Sequence, residues 1–385
     1  MLTRSKQRRH MLAATTSLAV AALIHGLTQP LLSLILAEQG VDSTLIGLSA
    51  ATQFVSVLVV APFMPRLMRT SGPAWLMFWG VLSSVGLLLL LPVFRNFYAW
   101  FPLRFLLGIA ASLLWIAGEA WINHSAEEHT RGRVVAIYCM ALAAGFSLGP
   151  LILVATGSAG WTPFVVAAVI MLLAIIPLFM TLKDGPKLEG HPSASLVKYL
   201  WLAPITMWVY LVFSMTDTVL LTFLPLYGIG SGLDEQTAII LITIMGIGGI
   251  ALQLPIGWLA DHMDRMLLMA LAIVVVLVAT ALFPILIAHT PWNTIFMFFF
   301  GGAFVALYTV PMVLLGQQFK NAELSAAATV FSIMFAAGSI IGPPISGAAM
   351  ELVGINGMPL VLALAYLCVL PLPVIAYLRR QPYRK

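Results

Sequence analysis

The hexapeptides GFSLGP at Gly145–Pro150 and GSIIGP at Gly338–Pro343 write one phrase twice, 193 residues apart in a chain of 385. Each lies inside a long apolar run. Gly-xxx-Gly places two positions without a Cβ on one helix face, so a neighbouring helix can approach closely. The proline that follows removes one backbone hydrogen bond or kinks the helix. A single copy is ordinary in any membrane helix. Two copies in register, separated by half the chain, point to a duplication.

Other positions keep the same register. A shift of 193 lays Gly108 on Gly301, Trp115 on Tyr308, and Gly149-Pro150 on Gly342-Pro343. A shift of 192 lays Gly40-Val-Asp42 on Gly232-Leu-Asp234, and His25 on Asp217. The chain therefore divides into an N-terminal bundle (1–182), a connector (183–198) and a C-terminal bundle (199–385). The connector, KDGPKLEGHPSASLVK, is rich in Gly, Pro, Ser and charge, as a polar link between bundles should be. Parallel repeats of this kind belong to transporters whose halves rock about a site near the midplane.

Composition sets the solvent. Hydrophobic residues make up 61% of the chain and charged residues 9%, with a mean hydropathy of +1.02. A soluble domain carries about 25% charged residues. Twelve apolar stretches are each long enough to cross about 30 Å of hydrocarbon as a helix. They run roughly over 11–37, 44–68, 74–93, 97–123, 132–157, 161–182, 199–227, 236–260, 267–288, 292–317, 324–350 and 356–378. The expected fold is all-α: twelve transmembrane helices in two pseudo-symmetric six-helix bundles.

The cations set the orientation. Arg4, Lys6, Arg8, Arg9, Arg66, Arg69, Arg131, Arg133, Lys183, Lys187, Lys198, Arg265, Lys320 and the Arg379–Lys385 tail share one side if both termini are cytoplasmic. The opposite loops hold Arg95 with Glu38, Asp42, Asp234 and Glu235. This is a positive-inside pattern, and it places the chain in the inner membrane. The net charge of +5 is then topological rather than a sign of nucleic-acid binding. The basic and then apolar N-terminus exceeds a signal peptide's core and reads as a retained first helix. Cys139 and Cys368 both fall within spans, which disfavours a disulfide framework or a cysteine metal site.

The motifs then resemble a family. GWLADHMDR contains Gly257, Leu259, Ala260, Asp261 and Arg265, and is similar to the loop 8–9 signature of the major facilitator superfamily. RFLLG, Arg104–Gly108, is similar to that family's fourth-helix Arg-x-x-x-Gly. Gly145, Gly149 and Pro150 resemble the signature of its proton-driven antiporters. Loop 2–3 departs from the pattern, with Pro65 where the family has Gly and Arg69 where it has Asp; Leu107 replaces a polar residue. The resemblance covers nearly the whole chain and implies alternating access. It also implies that spans one and seven line the substrate path, and that Asp261 latches onto the start of helix five near Arg131 and Arg133. A carboxylate there would meet a cation and a positive helix end.

Ionisable groups within spans are costly and mark function. In span four, Arg104, Gly108, Trp115 and Glu119 fall on one stripe at about 100° per residue, expected to face the cavity. Arg104 and Glu119 lie about 22 Å apart along the axis and do not pair directly. Asp217 sits deepest in span seven. An unpaired ionised carboxylate is unfavourable at that depth, so Asp217 is expected to take up and release a proton. Glu119 is the second candidate; Arg104, His25, Gln29, Trp115 and Tyr308 complete the cavity set. Structural roles stand beside these: Asp217 as a hydrogen-bond acceptor, Glu119 paired with Arg131 or Arg133, His25 packed and neutral, Arg104 bound to carbonyls. Tyr138, Trp208, Phe223 and Phe335 could line a pocket with Trp115 and Tyr308, although core packing suits any single aromatic better.

Neither a nucleophile–base pair, nor metal-spaced His and Cys, nor a phosphate-binding Gly-rich motif is present in the sequence, which disfavours an enzyme or an ATP-driven pump. The expectation is a monomeric secondary transporter without cofactor, powered by the proton gradient. Its expected cargo is small amphiphilic or cationic compounds moving outward. Uptake by symport or facilitation on the same fold is the alternative, and a membrane sensor or enzyme is further off.

Overall fold

The computed structural model describes residues 4–94, 96–125, 131–182, 197–319 and 321–380. Arg95, most of the 183–198 connector and the extreme tail therefore lie outside the described residues. Sixteen α-helices follow in order: α1 (Arg4–Glu38), α2 (Ser43–Val60), α3 (Met64–Ser71), α4 (Pro73–Leu90), α5 (Phe97–Ser125), α6 (Arg131–Thr156), α7 (Thr162–Leu173), α8 (Ile175–Phe179), α9 (Val197–Leu202), α10 (Pro204–Gly230), α11 (Glu235–His262), α12 (Arg265–Leu286), α13 (Trp292–Gln318), α14 (Asn321–Val353), α15 (Gly357–Val369) and α16 (Pro371–Arg380). Several join end to end, giving twelve helical segments long and apolar enough to cross a membrane. Helices satisfy every backbone group internally, which hydrocarbon demands.

The chain forms two compact units. One holds Met1–Gln39 with Thr52–Pro192; the other holds Gly40–Ala51 with Ser193–Lys385. The sequence assigned all of span two to the first bundle, whereas the start of α2 groups with the second unit. There Gly47 fits against the backbone of Pro343 and Pro344, and Gly347 fits against Ser43. The Thr44 amide donates to Glu351 Oε1 at 2.6 Å.

The repeated hexapeptides have one local job. In the first unit α1 packs chiefly on α6, and in the second α10 packs closely on α14. A Cβ on Gly145 would strike the Ala19 carbonyl, and one on Gly149 would strike that of Leu23. In the second copy, a Cβ on Gly338 would strike the Ser214 hydroxyl and the Leu211 carbonyl, and one on Gly342 would sit 2.7 Å from Met215 Cγ. Each phrase thus joins the fifth helix of its half to the first at backbone distance. Pro150 and Pro343 lie inside α6 and α14 respectively.

The second repeated phrase is a helix start. Gly40 and Gly232 both take positive φ, 75° and 96°, a region that glycine enters without strain. Two residues later, Asp42 accepts from the Leu45 amide at 2.8 Å and Asp234 from the Thr237 amide at 3.0 Å. The caps satisfy donors that α2 and α11 leave open. Hydrogen bonds from Thr237 hold the Asp234 carboxyl below the usual carboxylate range.

Candidate functional site

In the first unit, four helices bring polar and aromatic groups together. Gly108 of α5 lets α2 approach until a Cβ would collide with the Gln53 carbonyl and the Ser56 hydroxyl. One turn away, Arg104 is fully buried. Gln29 Nε2 of α1 donates to Gln53 Oε1 at 2.9 Å, with both side chains buried. Gln29 Oε1 is buried and accepts no hydrogen bond among the described residues. A buried acceptor left unmatched is costly and suits a donor that comes and goes.

His25 lies one turn from Gln29 and is half-buried. Its ring meets Phe54 edge-on at 5.9 Å and Phe146 at 5.7 Å between centroids. Trp115 stacks on Phe146 at 6.0 Å with 14° between planes. The Arg104 charge reaches His25. The structure thus gathers His25, Gln29, Arg104 and Trp115 into one region. It adds Gln53, Phe54 and Phe146, which the sequence reading passed over. Gln53 was visible as a lone amide in an apolar run; Phe146 stands inside the opening hexapeptide.

Glu119 stands apart from that cluster. Its side chain is exposed, and Oε1 accepts from the Tyr138 hydroxyl of α6 at 3.0 Å. The side chains of Arg131 and Arg133 lie outside the described residues, and with them the pairing expected for Glu119.

In the second unit, Asp217 is half-buried on α10 and has no hydrogen bond or ion pair among the described residues. Towards the start of the same helix, aromatic rings gather. Tyr210 stacks on Phe331 at 3.4 Å and Phe213 on Phe304 at 4.5 Å, with Tyr308 and Phe335 about 6 Å from Tyr210 (6.0 and 5.9 Å). Trp208 is 52% exposed and joins none of these rings, while Phe223 is fully buried in the core. Thr218 donates to Ser339 Oγ at 2.8 Å and so links α10 to α14.

The loop motif of the second unit borders a cavity of about 540 Å³, lined by residues that include Thr206, Asp261, His262, Arg265 and Gln317. Asp264 caps α12, accepting from the Met266 and Leu267 amides at 2.9 and 3.2 Å. Arg265 Nη1 donates to Gln317 Oε1 of α13 at 2.7 Å. Asp261 is exposed. Gly257 has open space around it, so packing within the unit does not require a glycine there.

Twelve apolar helical segments among the described residues, a duplicated scaffold and polar groups set within the spans have the build of a membrane transporter. The sequence profile of the Major Facilitator Superfamily matches residues 14–309 and 206–385, and the chain belongs to that family of secondary transporters. It is 25% identical over 355 residues to the uncharacterized MFS-type transporter YfkF of Bacillus subtilis (strain 168), covering 89% of each chain. It is 24% identical over 357 residues to the uncharacterized MFS-type transporter YcaD of Escherichia coli O6:K15:H31, covering 90% of each. Among solved structures, the nucleoside transporter NupG aligns with a TM-score of 0.78 at 15% identity, over 95% of this chain and 99% of that one. A bacterial homolog of the human lysosomal transporter Spinster aligns with a TM-score of 0.70 at 13% identity, over 97% and 94%. At such identities the likeness to solved structures concerns the fold.

Proposed function

We propose that the protein is a proton-coupled exporter of small amphiphilic or cationic compounds, working as a monomer in the inner membrane with both termini cytoplasmic. Asp217 carries this reading. Away from helix ends, it is the only Asp, Glu, Lys, Arg or His in spans seven to twelve. A carboxylate without a counter-charge in an apolar bundle is a natural site for a transported proton. Glu119, exposed and accepting from the Tyr138 hydroxyl, is the second carboxylate of the scheme. Stacked rings in each unit offer apolar and cation–π faces to a planar cation. The outward direction rests on the antiporter-like phrase at Gly145–Pro150.

One observation favours a second reading, uptake of a polar planar solute. The unsatisfied Gln29 acceptor beside His25 suits a hydrogen-bonding ring, and the fold matches that of a nucleoside transporter. Proteoliposomes separate the two. Ethidium should move against its gradient when a pH gradient is imposed, and radiolabelled uridine should not. Gradient-driven uridine movement without ethidium movement would replace the first reading with the second.

Two further outcomes follow. A cysteine placed at Ser195 should react with an impermeant maleimide only after the membrane is opened; labelling in intact cells would reverse the orientation. Asp261→Asn should lower the turnover of ethidium transport by about tenfold while its KM changes little, as expected for a gate rather than a binding group. Unchanged turnover would remove Asp261 from the gate.

A further inference from the structure

Tyr366 of α15 is fully buried, and its hydroxyl has no hydrogen-bond partner among the described residues. A phenol is rarely buried in this way, because its O–H normally finds an acceptor. α15 packs against α10, α12 and α14. The hydroxyl lies beside Thr216 and within electrostatic reach of Asp217. Thr216 gives its own proton to the Val212 carbonyl at 2.9 Å, so towards the phenol its oxygen could only accept, and the Tyr366 hydroxyl makes no such bond. An orphaned donor and an unpartnered carboxylate thus share one stretch of the bundle.

On the helices packed around α10 and α15, the other charged residues stand towards the helix ends, Arg379 and Arg380 of α16 among them. α13 has no charged residue; α12 has only Arg265 at its start. On α14 the charges are Glu323 and Glu351 near the two ends, and on α11 they are Glu235, Asp261 and His262 at the ends. In α10 the one charged residue is Asp217 itself.

We infer that Tyr366 is a positioning residue for the coupling carboxylate: when Asp217 gives up its proton, the Tyr366 O–H turns to donate a hydrogen bond to the carboxylate, and it turns away when Asp217 is protonated again. The proton leaves from Asp217 to water, and Tyr366 keeps its own throughout. A hydrogen bond to the charged form stabilises that form, and in a low-dielectric bundle such a bond is among the stronger ones. The inference rests on the proposal that Asp217 carries the proton.

Infrared difference spectroscopy on the purified full-length chain, titrated with pH, tests both and keeps them apart. The wild type should show a protonated-carboxyl band that titrates and is missing from Asp217→Asn. In Tyr366→Phe, which removes one oxygen and keeps the ring, the midpoint of that band should move by about one pH unit, a tenfold change in proton affinity. A tyrosine ring mode should change with the titration in wild type and stay silent in Asp217→Asn, a readout that needs no Tyr366 variant. A band that titrates with the same midpoint in Tyr366→Phe, together with a silent tyrosine mode, overturns the role of Tyr366 and leaves Asp217 as the proton site. If no band depends on Asp217 at any pH, the proton-site reading itself falls.

Discussion

Asp217→Asn is expected to reduce pH-gradient-driven ethidium movement to the level of protein-free liposomes, while exchange of the dye down its own gradient survives. The reason lies in what the substitution keeps. Asn has the size of Asp and the polarity of its protonated form, so insertion, packing and substrate binding are retained. It cannot release a proton, so the cycle loses the step that ties the substrate to the gradient. Asp217 forms no ion pair or hydrogen bond among the described residues, and the change therefore strands no buried partner. That separates it from most buried charge substitutions, which destabilise by leaving the other member of a pair uncompensated. The measurement is paired: gradient-driven flux and counterflow in the same liposome preparations. Full gradient-driven flux in the variant would move the coupling role to Glu119.

The second large effect concerns folding. Gly149→Leu and Gly342→Leu should each destabilise their unit by about 3 kcal/mol, the upper range for overpacking a core. At Gly149 even a methyl would sit 2.7 Å from the Leu27 amide nitrogen and closer still to the Leu23 carbonyl. Both are backbone atoms and cannot turn aside as a side chain can. Gly86 provides the comparison, since a Cβ there meets nothing within 4 Å. Gly86→Leu should leave the folded yield unchanged, because leucine is also the better helix former. The check is the monodisperse fraction after detergent extraction, followed by thermal unfolding. Equal behaviour of the three variants would show that the close crossings contribute nothing to stability.

The architecture was legible because bilayer physics writes large signals: spans of about 20 apolar residues and a register of glycines that survives over half a chain. The paired Gly40-Val-Asp42 and Gly232-Leu-Asp234 were legible as a repeat, whereas the capping by their two acids came only with the structure. The candidate site was legible in part. His25, Gln29 and Arg104 stand out as polar letters in apolar runs. Their neighbours Phe54 and Phe146 do not, because phenylalanine is common throughout and only the crossing of α1 with α2 and α6 selects these two. Tyr366 gave no signal at all, since what marks it is an absent hydrogen bond. The grouping of Gly40–Ala51 with the second unit was hidden for another reason. A polar connector reports where the chain passes between bundles, whereas contacts decide where a helix packs.

The clasp between Arg265 and Gln317 has a practical consequence. The basic residue of the loop is held by a neutral amide, and the acid three positions before the cap, Asp261, remains exposed. A short contact between an ion and a dipole is little affected by dissolved ions, whereas attraction between separated exposed charges fades beyond about 8 Å at physiological ionic strength. Added salt should therefore weaken what Asp261 does at a distance and leave the loop's own anchorage in place. Ionic strength becomes a reversible dial on one carboxylate, turned without altering a single residue.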